Sequence, residues 1–326
     1  MEGMFSTCAS LTSLDVSKFD TKNVQNMAKM FNLCQNLKYL DVSNFNTEKV
    51  TTMSQMFAGC YNLSSLDVSK FNTKKVSNMK WMFGSCTGLT NLDLSSFSTE
   101  LVEDTSHMFV SCENLKELVI PQFTLSKATN IEGMFMGCKS LTSLDVSKFN
   151  TKNVIIMNEL FLDCKSLKSL DVSHFDTSKV TSMNSIFHNC ESLTNLDVSN
   201  FDTSRVTTMN LLFENCKSLT SIDVFKFDTS KVITMISLFQ DCQSLTNLDV
   251  SNFVTTRVKS MSAMFANCIK LTSLNLVSFN TQNCLRFSDT FENCKNLKVD
   301  VNQNTYNTLI KKDNMVPDYI TLNIVN

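Results

Sequence analysis

TKNVQNMAKMFNLCQNLKYLDVSNFN, residues 21–46, decides the architecture, because the chain repeats this pattern every 26 residues. Its cysteine recurs at Cys8, Cys34, Cys60, Cys86, Cys112, Cys138, Cys164, Cys190, Cys216, Cys242, Cys268 and Cys294, with no insertion between copies. The phenylalanine three residues earlier keeps the same step from Phe5 and Phe31 to Phe265 and Phe291. So does the leucine three residues later, from Leu11 and Leu37 to Leu271 and Leu297. A strict period of this size means that each copy completes the apolar interior of its neighbour in a solenoid.

Within one copy, Val24, Met27, Met30, Phe31 and Cys34 are spaced as one face of a helix, and Thr21 stands where an N-cap would. Leu40 and Val42 alternate with polar residues, which predicts a short strand from Tyr39 to Ser43, and Phe45 fills the space between strand and next helix. The expected fold is an α/β solenoid of twelve repeats. It is a right-handed leucine-rich-repeat coil, with a parallel strand sheet on one face and helices on the other. The repeats occupy residues 1–300, and residues 301–326 form a C-terminal capping segment with a short helix around Tyr306–Lys311 and a strand in YITLNIV. The first repeat is incomplete and uncapped, so either residues precede it or something covers that end.

Composition narrows the function classes. The net charge is −2 with 18% charged residues, so no global field draws the chain to nucleic acid or acidic membranes. No apolar run is long enough to span a bilayer, and MEGMFSTCASL is not a signal peptide. Only six glycines and two prolines occur, against 13 Cys, 18 Met and 25 Phe, as expected of one unit with fixed turn chemistry.

The cysteine column lacks C-x-x-C spacing, and His107, His174 and His188 fall in three different columns. The thiols therefore read as small buried hydrophobes, with disulfides between neighbouring rungs or a metal site as alternatives. Cys284 lies in a column that elsewhere holds Val24, Val50 and Val76. Met27, Met30 and their column mates read as core filler.

If Leu40 and Val42 point inward, Asp41 points out. Its column runs Asp15, Asp41, Asp67, Asp93, Val119, Asp145, Asp171, Asp197, Asp223, Asp249 and Asn275, with serine two residues on in most copies. Carboxylates about 5 Å apart repel by roughly 3 kcal/mol at an effective dielectric of 20. Such a column needs hydroxyl donors, lysines or a bound cation. It reads as a ladder that fixes register, as a ligand-facing acidic stripe, or as a cation site. Phe225 places one aromatic in the serine column, and the rung at 118–131 departs most, with Val119, Pro121, Leu125 and Ile131.

The unit M-F-x-x-C-x-x-L-x-x-L-D-V-S-x-F-[DN]-T-x-x-V-x-x-M, seen from Met56 to Met79, resembles the BspA-like leucine-rich repeats, above all those of Mycoplasma-type surface lipoproteins. The resemblance covers about residues 4 to 300. It implies a solenoid that is secreted or on the cell surface, tied to adhesion and host-protein binding, without catalytic residues, cofactor or metal. The expected function is a non-enzymatic protein-binding or adhesion module. It would act through Asp15, Asp41, Asp67, Asp93, Asp145, Asp171, Asp197, Asp223, Asp249 and Phe225, on a protein ligand such as a host extracellular protein. An intracellular interaction scaffold is the alternative. An enzyme would need a convergent catalytic set, against which the scattered histidines argue.

Overall fold

The apolar columns of the repeat are buried: Met27, Met30, Phe31, Cys34 and Leu37 are all fully inaccessible, as are most of their column mates. The computed structural model describes residues 1–311 and 316–325. Its contacts define two compact units, Met1–Leu170 and Asp171–Asn326, each described by itself. In the first unit, Phe5, Phe31, Phe57, Phe83, Phe109, Phe135 and Phe161 stack with centroids 5.6–5.8 Å apart and planes within 10°. In the second, Phe187, Phe213, Phe239, Phe265 and Phe291 stack at 5.6–6.0 Å. Offset stacking of this kind adds to the stabilisation from area burial.

Among the described residues the expected helices of the repeats do not form, which corrects the α/β reading. Among the described residues one helix occurs, and it follows the last repeat. Where residues 24–34 were expected to coil, the chain makes successive tight turns. Met30 N–H donates to Met27 O, Asn32 to Lys29, Cys34 to Phe31 and Leu37 to Cys34, at 3.1–3.3 Å. Lys29 and Leu33 hold φ of +57° and +59°, and the same two columns are left-handed in almost every rung. A left-handed residue at the third position of a turn ends any α-helix. Each non-glycine there costs roughly 1–2 kcal/mol.

What offsets that cost is hydrogen bonding along the stack. Met27, Lys29, Phe31 and Leu33 donate to Thr52, Ser54, Met56 and Ala58 carbonyls of the next rung at 2.7–3.1 Å. Alternate N–H groups therefore serve the turn and the neighbouring rung. Parallel bridges run Asn26–Thr52–Asn78–Asp104–Asn130–Ile156 in the first unit and Ser182–Thr208–Thr234–Ser260–Arg286 in the second. A helix, about 10–12 Å across, could not keep step with rungs spaced about 4.8 Å apart on such a ladder. The 3-3-1-3 spacing misled because three-residue turns carry side chains inward at the same positions.

The threonine column is likewise corrected from N-cap to staple. Thr21 Oγ1 accepts from Asn46 N–H at 2.7 Å and donates to Asn46 O at 3.1 Å. Thr47 does the same with Asn72, and Thr255 with Asn280. The buried hydroxyl thus satisfies both backbone groups of a residue in the next rung. We expect Thr47→Val to cost about 1–3 kcal/mol in a urea denaturation, from the two unpaired groups it leaves. Thr47→Ser should recover most of that loss. Equal stability of the Val and Ser variants would refute the staple.

The strand half alternates as expected, with Leu40 and Val42 buried and Tyr39, Asp41 and Ser43 exposed. The strand expected over Tyr39–Ser43 does not form, and among the described residues pairing in that column is regular at only a few rungs. In the first unit β1 (Asn91–Asp93) pairs in parallel with β2 (Glu117–Val119), at the rung most divergent in sequence. There Leu125 replaces the threonine and takes φ +53°, while Asn150 N–H donates to Thr124 O instead. In the second unit β3 (Ser273–Leu276), β4 (Lys298–Val301) and β5 (Thr321–Ile324) form a parallel sheet in that order. Between β4 and β5 lies α1 (Gln303–Lys311), capped by Asn302 Oδ1, which accepts from Thr305 N–H at 2.8 Å. The expected terminal helix falls within α1, and β5 falls within the expected strand YITLNIV.

None of the thirteen cysteines is joined in a disulfide in this structure, and all but Cys8 are buried. In the first unit the thiols from Cys34 to Cys164 each donate to the phenylalanine carbonyl 29 residues back, at 3.1–3.3 Å. In the second, Cys216, Cys242, Cys268 and Cys294 do so at 3.0–3.3 Å. Burial pushes the Cys34 thiol up to about 11 and those of Cys60, Cys112 and Cys216 up to about 12.

Candidate functional site

The acidic column is exposed throughout, from Asp15 to Asp145 in the first unit and from Asp171 to Asp249 in the second. Each carboxylate is also part of a turn. Oδ1 of Asp15, Asp41, Asp67, Asp93 and Asp145 accepts from the N–H two residues ahead at 2.8–2.9 Å. Asp171, Asp197 and Asp249 accept in addition from the serine hydroxyl of that residue at 2.6–2.7 Å. Asp223 accepts from Phe225 N–H at 3.0 Å. These are Asx turns: a short side-chain acceptor takes the place of a backbone carbonyl and bends the chain out of the strand.

Two further corners use the same device. Asp20, Asn46 and Asn72 accept from the N–H two residues on, as do Asn26, Asn78, Asp104 and Asn130. Hence the Asp/Asn columns shape the rung first, and any ligand role is superimposed on that.

The serine hydroxyl and N–H bonds hold Asp15, Asp41, Asp171, Asp197 and Asp249 below the usual carboxylate range, and the N–H of Ser69 followed by its hydroxyl does so for Asp67. Asp15 and Asp67 push the other way on Asp41, through like charge. Folded values below the ordinary 3.8 mean that these contributions are intact above that pH and fade as pH falls through the folded values. At neutral pH Asp15, Asp41, Asp67, Asp171, Asp197 and Asp249 are therefore ionised.

Aromatic side chains interrupt it. Phe225 is 48% exposed, as its place in the serine column led us to expect. Tyr39, which we had not singled out, is 62% exposed and borders, with Ser13, Asp15 and Asp41, a shallow hollow of about 310 Å³. Its signal was a lone aromatic in a column of Ser and Asn. The three histidines share no site: His107 stacks on Trp81 at 5.1 Å, His174 meets Phe175 edge-on, and His188 Nε2 lies 3.2 Å from Glu214 Oε2. Among the described residues no three His, Cys, Asp or Glu are placed to hold a metal ion. No helix there is long and apolar enough to cross a membrane.

Stacked 26-residue rungs with a leucine strand half and a buried core ladder define a leucine-rich-repeat solenoid protein. The chain belongs to the family described as Mycoplasma protein of unknown function, DUF285, which matches residues 1–123, 106–222 and 211–323. Among solved structures it is similar to a leucine rich cell surface protein from Faecalibacterium prausnitzii, at 18% identity and TM-score 0.50, over 92% of this chain and 76% of that one. It is also similar to a leucine-rich repeat protein from Bacteroides ovatus, at 18% identity and TM-score 0.49, over 100% of this chain and 87% of that one. A comparison with curated proteins finds no match.

Proposed function

We propose that this protein is a non-enzymatic binding module of adhesion type, secreted or held at the cell surface. Its ligand is a host extracellular protein, engaged through the Asp/Ser face and Phe225. The observation that carries this reading is the exposed aspartate stripe, repeated rung after rung with aromatic side chains set into it. A uniform stripe suits a repetitive basic ligand, bound by many weak contacts that act together. The BspA-like form of the repeat points the same way. Residues 301–326 serve as the cap of the last repeat, consistent with β5 pairing on β4 beside α1.

The triple variant Asp41→Asn/Asp67→Asn/Asp93→Asn tests the reading, because Asn keeps the turn acceptor and removes the charge. Against immobilised host matrix proteins we expect roughly tenfold weaker capture with about 0.5 kcal/mol or less change in stability. Phe225→Ala should also weaken capture. Unchanged capture by both variants would overturn the reading. Thirteen free cysteines favour a second reading, an intracellular scaffold in a reducing compartment. Protease shaving of intact cells separates the two, since only a surface protein is cleaved.

A further inference from the structure

The net charge of −2 conceals an uneven distribution: residues 250–288 contain no Asp or Glu at all. In that stretch, within the unit Asp171–Asn326, one surface combines cations with exposed aliphatic side chains. Ile233, Lys259 and Leu285 are successive members of a single hydrogen-bonded ladder. Lys259 N–H donates to Ile233 O at 2.7 Å, and Leu285 N–H donates to Lys259 O at 2.9 Å. Their side chains therefore stand side by side, about 4.8 Å apart along the stack. Ile233 is 41% exposed and Leu285 73%. Equivalent positions in the first unit hold Gln25, Thr51, Ser77, Glu103, Thr129 and Ile155, so an aliphatic side chain occurs there once, without a cationic neighbour on the next rung.

Charge surrounds this row. Exposed Lys231 and Arg257 lie two residues before Ile233 and Lys259, and exposed Arg286 directly follows Leu285. The acidic column that holds Asp176, Asp202 and Asp228 on earlier rungs changes to Val254, itself 42% exposed, and then Asn280. Arg257, Lys259 and Arg286 thus pair with no carboxylate among the described residues.

We propose that this face docks on an anionic lipid bilayer, with Arg257, Lys259 and Arg286 over headgroup phosphates and Ile233 and Leu285 entering the interfacial layer. A bilayer requires only a rigid surface with cations ringing apolar tips, and affinity then grows from buried apolar area and attraction to anionic lipid together. An acidic protein partner would call for an aromatic anchor and a pocket at the centre of the contact. This row offers no aromatic anchor: its members are aliphatic or cationic.

Co-sedimentation of the full chain with vesicles tests the proposal, using phosphatidylcholine alone and phosphatidylcholine mixed with phosphatidylglycerol. The protein should pellet with the mixed vesicles and stay in solution with neutral ones. Arg257→Glu/Lys259→Glu should lower partitioning about tenfold or more. Leu285→Ser should lower it roughly fivefold. Lys18→Glu/Lys70→Glu, on exposed positions of the first unit, should leave it unchanged. No pelleting with either vesicle overturns the proposal, as does an equal loss in the Lys18/Lys70 variant. Retention on a polyglutamate resin without vesicle binding also overturns it and assigns the face to an acidic protein segment. None of these results bears on the aspartate stripe, which is tested by its own variants.

Discussion

Between about pH 8 and about pH 10 this protein is expected to lose most of its stability, because its core is built around thiols that cannot ionise in place. An ordinary thiol titrates near 9.0, whereas burial raises Cys60, Cys112 and Cys216 to about 12 and holds Cys86, Cys138, Cys242 and Cys268 well above the ordinary value too. Below the ordinary value each thiol is neutral whether folded or unfolded, and its contribution is fully present. Above it the unfolded thiol ionises and the folded one does not, so stability falls until pH passes the folded value. One unit above the ordinary value the cost is about 1.4 kcal/mol per thiol. Seven such groups amount to roughly 10 kcal/mol, comparable to the whole stability of a typical domain at about 5–15 kcal/mol. The urea midpoint measured across this range should therefore fall steeply and recover on return to neutral pH. Cys112→Ala/Cys138→Ala should flatten the slope, even though the cavities lower stability at neutral pH. A midpoint that does not move with pH would mean that the thiols are reached by water. The same burial predicts that a thiol reagent modifies Cys8 alone in the native protein.

Phe83→Ala is expected to destabilise the first unit by about 3–5 kcal/mol. The ring is fully buried, 5.7 Å from Phe57 and 5.8 Å from Phe109, with Phe97 at 6.4 Å. Removing it opens a cavity between two rungs and breaks the stack on both sides. In a repeat array, where stability is carried by nearest-neighbour interfaces, the loss should also broaden the urea transition or divide it in two. Phe83→Leu should cost about 1.5 kcal/mol or less. Phe225→Ala, at an exposed position, should fall within about 0.5 kcal/mol of wild type. Comparable losses for Phe83→Ala and Phe225→Ala would show that the rings do not stack in register.

The candidate site was legible in part. Asp41 was placed outward because Leu40 and Val42 alternate around it, and Phe225 was visible as an aromatic among serines. The turn role of Asp15, Asp41 and Asp67 was not anticipated, although the parallel Asx columns at 20/46/72 and 26/78/104 were there to be read. Nor was the cationic face, because Ile233, Lys259 and Leu285 are 26 residues apart in sequence and meet only when rungs stack.

The period, the buried columns and the outward aspartates follow from sequence alone, since an unbroken 26-residue step with recurrent apolar positions leaves one way to bury them. Tertiary structure decided how the chain travels between those positions. A helix and a run of three-residue turns place Met27, Met30, Phe31 and Cys34 inward equally well. The choice falls to the neighbouring rung, whose carbonyls accept Met27, Lys29, Phe31 and Leu33 N–H groups only if the backbone stays flat enough to stack.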